Sequence, residues 1–152
     1  MRTLIVALGL ALVAGCAKEK PAVQAAPPPP PPAAPAPINL ADVAGNWTVT
    51  VTPIASDSVL VTYTLHATAA DTGWTVTFPG RKPMAVQITT MGDSIMTTMA
   101  TFQSVLRKQT KVSTTGVVHL VNGQLVGTTT AHYTTTKADS VVTLRMNGTK
   151  AP

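Results

Sequence analysis

The sequence predicts an all-β domain: an eight-stranded antiparallel up-and-down meander that closes into a barrel. Three observations lead there. Threonine and valine dominate the C-terminal two thirds, and both are β-branched, which favours strands over helices. Charged residues are only 11% of the chain and aromatics 4%. Short β-branched runs alternate with turn signals, and no stretch has a helical period. At 152 residues one folded domain is expected. A two-sheet sandwich is the alternative arrangement.

The N-terminal segments come first. Met1-Arg2 is a short positive region, and Leu4 to Val13 is an apolar run, too short for a spanning helix of about 20 residues. It ends at Val13-Ala14-Gly15-Cys16, which holds the single cysteine. That tetrapeptide resembles the lipobox of bacterial lipoproteins. The resemblance implies that residues 1–15 are a signal peptide, that cleavage falls before Cys16, and that Cys16 is lipidated. Two or three acyl chains anchor stably where one is marginal. The residue after the cysteine is Ala17, not the Asp that holds many such lipoproteins in the inner membrane, so the resemblance implies an outer-membrane address in the cell envelope. Residues 16–37 form the second segment, a linker with the unbroken run Pro27–Pro32. Proline lacks an N–H and fixes φ, so an extended spacer of about 3.1 Å per residue is expected, on the order of 60 Å for 17–37.

The domain is expected over 38–152. Its first strand is read at 45–53, with Trp47, Val49 and Val51 on one face and threonines on the other. The second is read at 58–68, with Val59, Val61, Tyr63 and Leu65 on one face. Ala70-Asp71-Thr72-Gly73 turns the chain into a third strand at 74–78, carrying Trp74, Val76 and Phe78, which Pro79-Gly80 ends. The fourth, at 84–91, is joined by Gly92-Asp93 to the fifth at 94–102. The sixth is read at 111–121, and Asn122-Gly123, a strong hairpin signal, leads to the seventh at 124–133. The eighth is read at 140–147. Short links make neighbours antiparallel, and eight strands is a count at which a sheet closes around side chains or one small ligand.

Gly45-Asn46-Trp47 at the start of the first strand resembles the Gly-x-Trp opening of lipocalins, and Arg145 lies on the last strand, where that family often packs an arginine against the tryptophan. The domain is similar to a lipocalin-like lipoprotein module. This resemblance implies a structural role for Trp47 and Arg145, together plugging the closed end.

A meander sends alternate turns to opposite ends. One end collects Arg81, Lys82, Arg107, Lys108, Lys111 and Lys137 with Asp57 and Asp139; the other has Asp71 and Asp93 and no basic residue. A positive mouth would concentrate anionic ligands; the plainer alternative is that these side chains only keep the loops soluble. The ligand expected is small and apolar or amphipathic, with Tyr63, Trp74 and Phe78 among the residues lining the interior (beside Trp47, Val49, Val51 and Val86) and Arg81, Lys82, Arg107 and Lys108 meeting an anionic head. The second expectation is a solid barrel that docks on another envelope component, whose identity the sequence leaves open.

Chemistry is poorly provided for. His66, His119 and His132 are far apart in sequence. There is no Gly-x-Ser-x-Gly elbow, and the strand region holds only Asp57, Asp71, Asp93 and Asp139 as carboxylates. Met84, Met91, Met96 and Met99 are read as packing, not as a copper site. No enzyme, metal or cofactor is expected. A formal charge of +5 without a basic run argues against nucleic acid.

Overall fold

A computed structural model describes residues 36–152; Cys16 and most of the proline-rich linker lie outside the described residues. Period-2 patterning dictates the wall. β1 (Gly45–Pro53) buries Trp47, Val49 and Val51 and turns Asn46 and Thr48 outward. β2 (Val61–Ala67) and β3 (Thr75–Thr77) follow, then β4 (Met84–Ala85), β5 (Gln87–Met91), β6 (Ser94–Gln103), β7 (Lys111–Val121), β8 (Gln124–Tyr133) and β9 (Val141–Lys150). Each neighbouring pair is antiparallel.

The order across the sheet is β4-β3-β2-β1-β9-β8-β7-β6-β5. β9 returns to β1, from Trp47↔Lys150 to Pro53↔Leu144. The two end strands are halves of one extended run with only Val86 between them. The result is a nearly closed up-and-down barrel, as expected, with nine strand segments in place of eight. The break has a geometric cause. The run pairs with β3 through Met84 and Ala85 and with β6 through Gln87–Met91, and no residue in it pairs on both sides. The Val86 amide still donates to Trp74 O at 2.9 Å while its side chain is buried.

Three sequence expectations are corrected. β2 begins at Val61, opposite Val51; Val59 is 60% exposed in the 54–60 loop. β9 runs on to Lys150 because β1 pairs with it that far; Gly148 does not end the strand but faces a crowded interior, where an added Cβ would lie 3.0 Å from Leu125 Cβ and 3.4 Å from Val49 Cγ2. A helical turn, α1 (Leu40–Val43), precedes the first strand, with Asn39 Oδ1 accepting from the Ala41 amide at 3.1 Å. Val43 is fully buried, its carbonyl accepts from Trp47 Nε1 at 2.7 Å, and the Ile38 amide donates to Gly92 O at 2.8 Å. α1 therefore covers the end of the barrel that carries the β5–β6 turn.

Inward residues form a main core that includes Trp47, Leu65, Trp74, Phe78, Ile95, Val118 and Met146, and a smaller cluster of Val112, Ala131 and Tyr133. A bulge between Met99 and Phe102 in β6 lets both face the interior although they are three apart. Gly127 is inward on β8, and an added Cβ would strike Val117 O and lie 2.9 Å from Val118 Cα. Backbone cannot yield as a side-chain tip can. Gly127→Ala should therefore cost about 2–4 kcal/mol in urea unfolding, while the outward neighbour change Thr128→Ala should stay within about 0.5 kcal/mol.

Candidate functional site

The barrel interior and its open rim meet at the end carrying the 54–60, 78–83, 104–110 and 134–140 loops. The expected liners Trp47, Val49, Val51, Trp74, Phe78 and Val86 are all buried, and Tyr63 is half-buried. These side chains fill most of the interior. A cavity of about 70 Å³ remains beneath the rim, lined among others by Val61, Tyr63, Phe78, Phe102, Leu106 and Tyr133. A second, of about 40 Å³, lies further in against Tyr63, Trp74, Ile95, Met99, Leu125 and Met146. Tyr63, Met99, Thr114 and Thr129 line both. A water needs roughly 10–15 Å³ of such space, so the two cavities suit a few waters or a slim apolar group, not a bulky ring system.

Tyr63 stands where the two cavities meet. Its ring packs edge-on against Phe78 at 5.1 Å, and Phe78 stacks on Phe102 at 5.8 Å. Among the described residues the hydroxyl's one partner is Met146 Sδ at 4.0 Å, a weak acceptor. Burial pushes the phenol well above its ordinary range, so at neutral pH it is a proton donor with little to donate to.

Phe102, Leu106, Tyr133 and Met146 were missed as liners. Tyr133 follows the inward parity of Leu125, Gly127, Thr129 and Ala131, a signal present in the sequence. Phe102 depends on the bulge, and Leu106 on a loop fold that carries no period.

Three arginines tie the rim. The Arg81 guanidinium donates to Gln103 O and, at 3.1 Å, to Ser104 O, joining the 78–83 and 104–110 loops. Arg107 pairs with Asp139 at 2.9 Å and lies 3.9 Å over the Tyr133 ring, joining the 104–110 and 134–140 loops. Arg145 donates to Ser56 O and Asp57 Oδ1, both at 2.8 Å, holding the 54–60 loop to β9. Between the 54–60 and 78–83 loops no hydrogen bond occurs among the described residues. The β2–β3 ladder also stops there, at Thr64↔Thr77. The wall is loosely tied here, and Tyr63 and Phe78 lie beside it.

The predicted rim residues therefore divide. Arg81 and Arg107 are engaged by the protein, while Lys82 and Lys108 are exposed. The expected packing of Arg145 on Trp47 is overturned by register: Arg145 stands opposite Thr52, whereas Trp47 faces Lys150. Lys150 Nζ lies 5.6 Å from the Trp47 ring centroid and supplies the cation at the closed end. That end is consequently not free of basic residues.

The remaining candidates do not assemble a reactive site. Ser94 Oγ, Asp93 Oδ1 and His119 Nδ1 come together at 3.0–3.7 Å, but serine and aspartate both address the same ring nitrogen. A relay needs them on opposite nitrogens. His66 Nδ1 meets Asn46 Oδ1 at 2.9 Å on the outer face, and His132 is exposed. No group of three metal-binding side chains of the His, Cys, Asp or Glu type occurs among the described residues. Met99 points inward, while Met91 and Met96 are exposed on the outside, so the methionines do not converge.

The buried phenol has a pH signature. Unfolded tyrosine ionises near pH 10, whereas folded Tyr63 keeps its proton to higher pH. Above pH 10 the unfolded chain binds fewer protons, so stability should fall with rising pH by up to about 1.4 kcal/mol per unit. Tyr63→Phe should remove that share of the slope in urea unfolding and, near neutral pH, be neutral or stabilising by up to about 1 kcal/mol. No family model matches the chain, and neither a curated protein nor a solved structure matches it.

Proposed function

We propose that the chain is a lipid-anchored protein of the bacterial envelope, held through Cys16 in the outer membrane, whose lipocalin-like barrel binds a small apolar or amphipathic ligand without catalysis. The observation that carries the binding reading is the Tyr63 hydroxyl, placed in a largely apolar interior between two cavities with a thioether as its one hydrogen-bond partner among the described residues. Such a donor suits a slim ligand with an alkyl or single-ring body and one carbonyl, carboxyl or hydroxyl group. The ligand passes in beside Tyr63 and Phe78, where the rim loops are not tied. Exposed Lys82 and Lys108 are the cations left to meet an anionic head. A second reading, a docking module with a solid barrel, draws on the small size of the cavities.

A brominated medium-chain fatty acid separates the two readings, because bromine quenches tryptophan at contact and Trp74 lines the inner cavity. Saturable quenching that disappears in Trp74→Phe, with about five- to tenfold weaker binding in Tyr63→Phe, is expected. If quenching does not saturate, or persists unchanged in Trp74→Phe, the binding reading fails and the docking reading stands.

The anchor has its own test. The mature protein should carry a diacylglyceryl mass on its N-terminal peptide and fractionate with membranes; Cys16→Ala should lose both. An unmodified Cys16 would leave the lipobox resemblance without consequence.

A further inference from the structure

We infer that the open rim is itself a membrane-docking surface: the aliphatic side chains of the 54–60 loop enter an anionic bilayer between headgroups, and the rim lysines lie on the phosphates. The inference concerns the outside of the molecule and holds whatever the barrel contains.

The apolar half of the surface is conspicuous. Ile54, Val59 and Leu60 are 53%, 60% and 42% exposed within one seven-residue loop, and Leu106 and Val141 are exposed on the same end. The loop is not loose: the Leu60 amide donates to Val51 O at 2.9 Å, and Arg145 holds Ser56 and Asp57. A fixed loop that keeps three aliphatic side chains in water offers an apolar contact surface, although Met91 and Val121 are exposed at the opposite end as well.

Charge selects the cover. The rim's two carboxylates, Asp57 and Asp139, are each taken by an arginine. Lys82, Lys108, Lys111 and Lys137 are exposed and have no carboxylate partner among the described residues. The charge left over on the rim is therefore positive throughout. The opposite end carries Asp42, Asp71 and Asp93 against Lys150. A molecule polarised in this way turns its rim to an anionic surface, and aliphatic side chains among lysines match the headgroup–acyl boundary of a bilayer. Nucleic acid would call for exposed aromatic rings, whereas the rim's excess exposed side chains are aliphatic.

Chain length permits the contact. The longest strand has 11 residues, about 36 Å at 3.3 Å per residue. The extended spacer expected from the proline content of 17–37 would reach about 60 Å, more than that length, so this step rests on the Cys16 anchor proposed above.

The test uses the chain from residue 16 with Cys16→Ser, which keeps the whole 33–152 unit but has no acyl chain. It is floated with vesicles of phosphatidylcholine, with and without phosphatidylglycerol. Binding is expected only to the anionic vesicles and should weaken as salt rises. The triple change Lys82→Glu, Lys108→Glu and Lys137→Glu, and separately Ile54→Ser with Leu60→Ser, should each reduce binding at least about tenfold, with the unfolding midpoint unchanged. A solvatochromic dye on Leu60→Cys should shift to the blue with anionic vesicles, and one on Asp71→Cys at the far end should not. Equal binding to both vesicle types, binding to neither, or loss of a dimer in sedimentation when Ile54 and Leu60 are changed would each overturn the proposal.

Discussion

Pairing of the first strand with the last is the constraint on which the rest of the molecule depends. The ladder from Trp47↔Lys150 to Pro53↔Leu144 turns a twisted meander into a wall with an inside. It brings Val49 against Gly148 and sets Tyr63 within reach of Met146, contacts between residues about 80–100 positions apart. It also decides which cation meets which partner. With Lys150 opposite Trp47, Arg145 is carried five residues along the strand, to the far end, where its guanidinium finds loop carbonyls.

Energy at the rim comes from those carbonyls more than from ion pairs. Asp57 is almost fully exposed, and exposed pairs contribute only about 0–1 kcal/mol. The arginines act through geometry: each planar head bridges a loop to a neighbouring loop or strand, which holds the mouth in one shape. The lysines, with no such engagement, keep their charge for whatever approaches. Arginine and lysine thus separate into structural and available cations.

Much of the wall was legible because apolar residues alternate with threonine over Gly45–Pro53, and because Asn122-Gly123 separates two β-branched runs, Lys111–Val121 and Gln124–Tyr133; those limits stand as read. Tyr63, Trp74 and Phe78 were legible as inward by parity alone. Tyr133 and Met146 stand on the inward parity of their strands and were readable there; the other misses come from features that leave no period. A bulge moved Phe102 inward, and a change of pairing partner broke the fourth strand at Val86. Gly148 could be read as a strand stop or as a close-packing position, and only the facing Leu125 and Val49 decide between them. Volume left inside a barrel depends on rotamers and on that bulge, so the two cavities had no sequence signal. The partners of Arg81 and Arg145 include backbone carbonyls, which every residue possesses and no motif can mark.

The closing ladder also has a direction in time. Its two strands are the first and last of the domain, and Ala151 N donates to Asn46 O just beyond its end. A chain that is made, or threaded across a membrane, from its N-terminus holds β1 ready long before β9 exists. Each hairpin from β5 to β8 can zip as soon as its second arm emerges, because its partner is adjacent in sequence. The seam alone must wait for about 100 residues of intervening chain. Until Lys150 has emerged the molecule is an open sheet with two live edges, and the interval before closure is when it is most available to pair with a neighbour instead of with itself.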